Sequence, residues 1–217
     1  MSELIERKRD WHFTPNDKEI ERGFKGWHER GYLPHFDAPN VTQLVTFNLV
    51  DSFPVKRRTE WEFLLKIEND SERRRTLEEW LDRGHGPCWL NQAAIAEVVE
   101  TELLAGHNRD YQLQTWVIMP NHVHLVVDVR ETPLRQLITI WKGRTAFKCN
   151  RLLGRRGSFW QEDYWDTFIR DARHLGTSIR YVESNPAKAR LVKDSATWRW
   201  SSLRRKDRFG VLKLNAD

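Results

Sequence analysis

The chain has 217 residues, 39% hydrophobic and 31% charged, with a mean hydropathy of −0.71. That is ample for one sizeable core with extensions, too apolar for a disordered chain, and without the run of roughly 20 apolar residues that a membrane helix needs. Thirty-six Lys and Arg against 31 Asp and Glu leave a formal charge of +5 and a pI near 9.3, which favours polyanionic partners. The leading MSELIERKRDWHF lacks the apolar centre of a secretory signal, and Cys88 and Cys149 alone make no disulfide framework, so a reducing cytoplasm is expected.

In chain order, residues 1–30 are polar with scattered aromatics and no clean period, and read as an N-terminal arm. VTQLVTFNLV (41–50) is β-branched and bounded by Pro39-Asn40 and Asp51-Ser52-Phe53-Pro54, which predicts a strand. A charged stretch with apolar residues at helical spacing predicts a helical insertion over about 56–83, ended near Gly84. QAAIAEVVETELLAG carries Ile95, Val98, Val99, Leu103 and Leu104 on one face and stops at Gly106, as an amphipathic helix does. Runs 111–120 and 122–129 read as strands joined at Pro120-Asn121 into a hairpin. A second amphipathic helix spans about 132–153, with Leu134, Leu137, Ile138, Trp141, Thr145 and Phe147 apolar and Arg135, Lys142, Arg144 and Lys148 basic. The segment GRRGSFWQEDYWDTF reads as a loop, and a third helix runs from about 171 to 184, stopped by Asn185-Pro186. This order predicts an α+β, ferredoxin-like sandwich, with a central antiparallel sheet and helices packed on one face of it.

His122 and His124 stand two apart in a strand, so both imidazoles point the same way. Such a pair fits metal ligation, and it also fits an exposed sheet face. Two imidazoles need a further ligand. On the third helix Tyr181 and Asn185 stand four apart and share a face if the helix persists that far; an aromatic packed inward and an Asn cap would give the same spacing. Among the four tyrosines, Tyr164 lies in a motif-like loop and is the second candidate nucleophile, with packing beside Trp160 and Trp165 as its ordinary role; Tyr32 and Tyr111 have no partner four residues on. Eleven tryptophans suit both core and stacking on unpaired bases.

WVIMPNHVHLVV (116–127), SFWQEDYWDTFIRD (158–171) and YVESNPAKARLV (181–192) together resemble the REP-associated tyrosine transposases, a branch of the single-tyrosine HUH nucleases. GYLPHFD (31–37) and WKGRTA (141–146) look like the same branch, so the resemblance covers 31–202, leaving 203–217 as a tail. It implies a catalytic domain in which His122, His124 and Asn185 ligate Mg²⁺ or Mn²⁺ and Tyr181 is the nucleophile. Related insertion-sequence enzymes carry glutamine at the third position, so the shorter asparagine calls for a closer helix or a bridging water. Arg190 stands where the family has glycine, which predicts a differently built turn after Pro186. The implied activity is cleavage and rejoining of single-stranded DNA at palindromic repeat hairpins through a 5′-phosphotyrosine, by a cytoplasmic, nucleoid-associated protein that acts as a monomer, with a dimer as the alternative. A domesticated hairpin-binding protein that no longer cuts, and a metal-dependent hydrolase that does not use Tyr181, are the alternatives. Arg135, Lys142, Arg144, Lys148, Arg170 and Arg180 are the expected DNA contacts, and His35 is either part of a sequence-reading loop or a local hydrogen-bonding residue.

Overall fold

A computed structural model of the protein describes residues 13–30, 33–52 and 86–213, with positions 72, 75, 76 and 79. The elements in chain order are α1 (Asp17–Glu21), β1 (Gly26–Arg30), β2 (Leu33–Asp37), β3 (Thr42–Asn48), α2 (Ala93–Ala105), β4 (Tyr111–Ile118), β5 (His122–Val129), α3 (Leu134–Leu152), β6 (Trp165–Phe168) and α4 (Ala172–Lys188). Short 3-10 turns lie at Trp89–Asn91, Ser195–Thr197 and Ser202–Arg205. Tyr32 and nearly all of the expected helical insertion fall outside the described residues; positions 72, 75, 76 and 79 within it are helical, with Arg75 and Glu79 paired at 3.8 Å.

The run from β3 to β6 is a β-α-β-β-α-β unit whose strands form one antiparallel sheet in the order β4-β5-β3-β6, the ferredoxin-like arrangement. Every residue of β3 is buried, and β5 is buried at all positions but Asp128, so both sheet faces are covered. On one face Val45, Phe47, Val123, Leu125 and Val127 meet Ile95, Val99 and Leu103 of α2 and Leu137, Ile138 and Trp141 of α3. On the other, Leu44, Val117 and Val126 pack against Val182 and Leu175 of α4. The helices therefore lie on both faces. The one-face expectation holds for α2 and α3, while α4 crosses to the opposite side because His122, His124 and the apolar residues beside them need a cover of their own.

Helix α4 also runs past Asn185-Pro186, where the sequence predicts its end. Proline has no N–H to bond the Val182 carbonyl, and its ring crowds that carbonyl. The following N–H, of Ala187, reaches Ser195 Oγ at 3.3 Å, and Ala189 N–H bonds Asn185 O at 2.9 Å. Both Asn185 and Pro186 are buried, so packing holds the last turn helical. The helix closes with Leu191 N–H on Pro186 O (2.9 Å) and Arg190 N–H on Ala187 O (3.0 Å), the paired bonds of a Schellman motif. Its left-handed position is occupied by Arg190 at φ +58°. The turn is thus the one a glycine would make, with arginine forced into it.

Two elements lie in segments read as arm or loop. β1 pairs with β2 from Gly26↔Asp37 to Arg30↔Leu33, and β6 pairs with β3 from Gln43↔Phe168 to Thr46↔Trp165. Residues after α4 fasten the helix to the body: Lys206 pairs with Glu183, Ser202 Oγ accepts from Trp116 N–H at 2.9 Å, and Trp198 Nε1 donates to Ile118 O at 2.9 Å. Among the described residues no helix is long and apolar enough to cross a membrane.

Candidate active site

The register of the sheet builds the site. His122 and His124 lie opposite Asn48 and Thr46 of β3, and the side chains of this row project towards α4. Both imidazoles are buried, with ring centroids 4.6 Å apart. Each is oriented through Nδ1: that of His122 lies 2.7 Å from Asn121 Oδ1, and that of His124 lies 2.7 Å from Thr46 Oγ1. An amide oxygen only accepts, so His122 donates from Nδ1 and, when neutral, keeps its lone pair on Nε2. That Nε2 is buried and has no hydrogen-bond partner among the described residues. Burial pushes the His122 pKa down to about 3, so no proton competes for the lone pair near neutrality.

α4 brings Tyr181 over the same face. Its ring lies 5.3 Å from that of His124 at 67°, and it is half-buried. Asn185, one turn further, is buried at 1% exposure. Lys188 Nζ stands 5.1 Å from the centre of the Tyr181 ring. Two imidazole nitrogens, one oriented lone pair with nothing to accept and a buried amide suit a divalent cation that takes mixed nitrogen and oxygen ligands. No third His, Cys, Asp or Glu joins the pair among the described residues, so the donor set leaves positions for substrate oxygens or water.

Residues 93–185 match the family described as Transposase IS200 like. Over that segment the chain is similar to the IS200-like transposases. That segment holds both imidazoles, Tyr181 and Asn185. A Haemophilus influenzae protein assigned as a REP-associated tyrosine transposase is 30% identical over 99 residues, 41% of this chain and 56% of that one. The Escherichia coli REP-associated tyrosine transposase is 24% identical over 98 residues, 45% of this chain and 58% of its own. The chain thus spans just over half the length of these curated relatives. A solved REP-associated tyrosine transposase bound to a REP hairpin shares the fold at TM-score 0.54 and 18% identity, over 82% of this chain and 83% of that one. The resemblance read from the motifs and the ferredoxin-like α+β class agree with these likenesses.

Around the imidazole–tyrosine centre the other candidates scatter. Tyr111 donates to Leu103 O at 2.6 Å inside the α2–α3 layer, and Tyr164 is buried against His35, with ring centroids 4.5 Å apart. Tyr181 is the described tyrosine on the imidazole face. The basic set of α3 lies across the sheet from that face. There Lys142 Nζ donates to the carbonyls of Gln161, Glu162 and Asp163 at 2.8 to 3.1 Å, fixing the segment that leads into β6. Arg144 and Lys148 pair with Glu102 at 3.0 and 3.3 Å, and Arg135 is partly buried at the start of the helix. Arg180, exposed, borders a groove with Lys193 opposite Glu183 and Asp194. Arg170, also exposed, follows β6 with its guanidinium 5.9 Å over the Phe168 ring.

His35 makes local hydrogen bonds apart from the metal pair. It is buried between Asp163, 3.1 Å from Nε2, and Asp166, which meets Nδ1 and also accepts from Phe36 N–H at 3.0 Å. Thr46 and Asn121, which aim the two imidazoles, carry no spacing signal; only the register of β3 against β5 reveals the first, and adjacency to the turn the second.

Proposed function

We propose that the protein is a metal-dependent single-stranded DNA endonuclease and strand transferase that acts at palindromic repeat hairpins. The observation that carries this reading is the approach of the Tyr181 ring to His124, 5.3 Å away, on the face where His122 holds an unsatisfied buried nitrogen. His122 and His124, with Asn185 as the third ligand, would hold Mg²⁺ or Mn²⁺, which withdraws charge from a DNA phosphate and orients it.

Tyr181 Oη attacks the phosphorus, a tyrosyl ester bond forms to the 5′-phosphate, and the bond to the 3′-oxygen breaks. The phenolic proton leaves to solvent and the departing oxygen takes one up as a 3′-hydroxyl. Because the new ester conserves the bond energy, a second 3′-hydroxyl can attack it and rejoin strands. The ammonium of Lys188, 5.1 Å from the centre of the phenol ring, adds positive charge beside the place of the scissile phosphate. On this face Arg170 and Arg180 are the expected DNA contacts, with the α3 cations meeting phosphate only away from the cut. The hairpin as substrate is supported by the solved relative bound to a REP hairpin. A single chain supplies every residue named, and the fastening of Glu183 to Lys206 and Thr115 supports action as a monomer.

The test incubates labelled single-stranded hairpins with protein and Mg²⁺ or Mn²⁺ and looks for a denaturant-resistant adduct. Adduct with wild type and none with Tyr181→Phe supports the proposal. Mobility shift without adduct indicates a hairpin binder that does not cut, and undiminished cleavage by Tyr181→Phe a hydrolase independent of the phenol.

A further inference from the structure

Most described tryptophans are buried or half-buried, as expected of a core residue. Trp27 of β1 is the exception, 46% exposed and the only exposed tryptophan among the described residues. Its indole is not loose. It packs on Phe36 at 5.0 Å and edge-on to Phe168 at 5.9 Å, which fixes its orientation while leaving surface open. Phe168 is the ring that also carries the Arg170 guanidinium. Lys25, two residues before Trp27, is exposed as well. A held, half-exposed aromatic, with an exposed lysine two residues before it and an exposed arginine on a ring it packs against, suits unpaired bases and their phosphates. The neighbouring acid Asp171 is engaged as the cap of α4, where Oδ1 accepts from His174 N–H at 2.7 Å.

This patch lies at one end of β6, the edge strand of the sheet. At the other end Trp165, half-buried, lies opposite Thr46, which in turn lies opposite His124. With strands about 4.8 Å apart and about 3.3 Å per residue, the backbone of Phe168 is about 14 Å from that of His124, within reach of a few nucleotides of extended single strand.

We propose that Trp27, together with Arg170 and Lys25, forms a stacking platform for an unpaired base of the single strand that runs over the β6 edge to the imidazole–tyrosine centre. The proposal rests on single-stranded DNA being the partner, and it does not require cleavage. The indole supplies a face that accepts any base, and the cations hold the flanking phosphates.

Fluorescein-labelled 12-mer oligothymidylate and a 12-base-pair duplex serve as probes for the full chain, read by fluorescence anisotropy. Trp27→Ala is expected to weaken binding of the single strand about ten-fold and that of the duplex less than two-fold, with Trp27→Phe restoring most of the loss. Arg170→Gln is expected to lower the dependence of log affinity on log salt by about 0.7. An unchanged thermal melt for Trp27→Ala separates the effect from misfolding. A single-strand loss below two-fold, an equal loss for both probes, or no binding of oligothymidylate by wild type overturns the platform. Adduct formation by Trp27→Ala at saturating hairpin is a separate readout: its absence in wild type defeats the catalytic reading and leaves the platform standing.

Discussion

Replacing His35 by glutamine changes how stability depends on pH. Burial pulls the imidazole pKa of His35 down, but hydrogen bonds to Asp163 and Asp166 and their charges outweigh it, leaving the group at about 9. The folded value lies above the 6.5 of an unfolded chain, so the protonated ring stabilises the fold fully below pH 6.5, and this is lost as pH rises through about 9. At about 1.4 kcal/mol per pH unit the span is worth at most about 3 kcal/mol. Solvent beside Asp163, whose side chain is 17% exposed, reduces this to about 2 kcal/mol. In a chain of this size that moves Tm by about 4 to 8 °C. Glutamine keeps a donor for one carboxylate but no charge for either, so the variant starts about 3 kcal/mol less stable at pH 6.5 and the gap closes to about 1 kcal/mol at pH 9.5. Urea unfolding of both proteins at the two pH values, followed by circular dichroism, measures the gap. Asp37, raised by burial to about 6, titrates below this window and leaves the comparison intact. Parallel losses of stability in wild type and variant would refute the reasoning.

Thr46→Val removes the partner of His124 Nδ1 and is expected to weaken Mn²⁺ binding about ten- to a hundred-fold, measured by calorimetry on a protein of unchanged far-ultraviolet spectrum; equal affinity would deny the hydrogen bond its aiming role. Arg190→Gly relieves the φ of +58° and should stabilise the chain by about 1 kcal/mol, seen as a higher urea midpoint with no change in slope. Glu183→Gln frees Lys206 and weakens the bond from Thr115 Oγ1, so the amides of α4 should exchange about ten-fold faster while those of β4 and β5 hold their protection; uniform acceleration would mean that the pair supports the whole fold rather than the helix.

Elements whose signal is local were legible in the sequence. β3, β4 and β5 announce themselves by β-branched runs, and α2 and α3 by their apolar stripes. β6 is only four residues, WDTF, and exists because β3 offers it a partner; nothing within those residues demands a strand. The β1–β2 hairpin is likewise held from outside, by His35 on Asp166 and by Phe36 and Trp27 on Phe168. Helix α4 outran its proline because burial of Asn185 and Pro186 overrides a backbone preference that the sequence shows alone. The paired histidines and the tyrosine–asparagine spacing were visible, since a strand and a helix each fix which side chains share a face. Which side of the sheet a helix takes is not written in its period. The period of α3 thus marks its cations as a charged face without saying that they lie on the far side of the sheet from Tyr181.

The fastening of α4 by residues that follow it sets an order of assembly. On the ribosome the sheet and both imidazoles can form before Lys206 has been added, but Glu183 then has no ammonium to meet and Trp116 no hydroxyl from Ser202. The helix bearing Tyr181 gains its full support only after residues 202–206 have followed it. Synthesis itself thus delays completion of the centre until that later segment has been added.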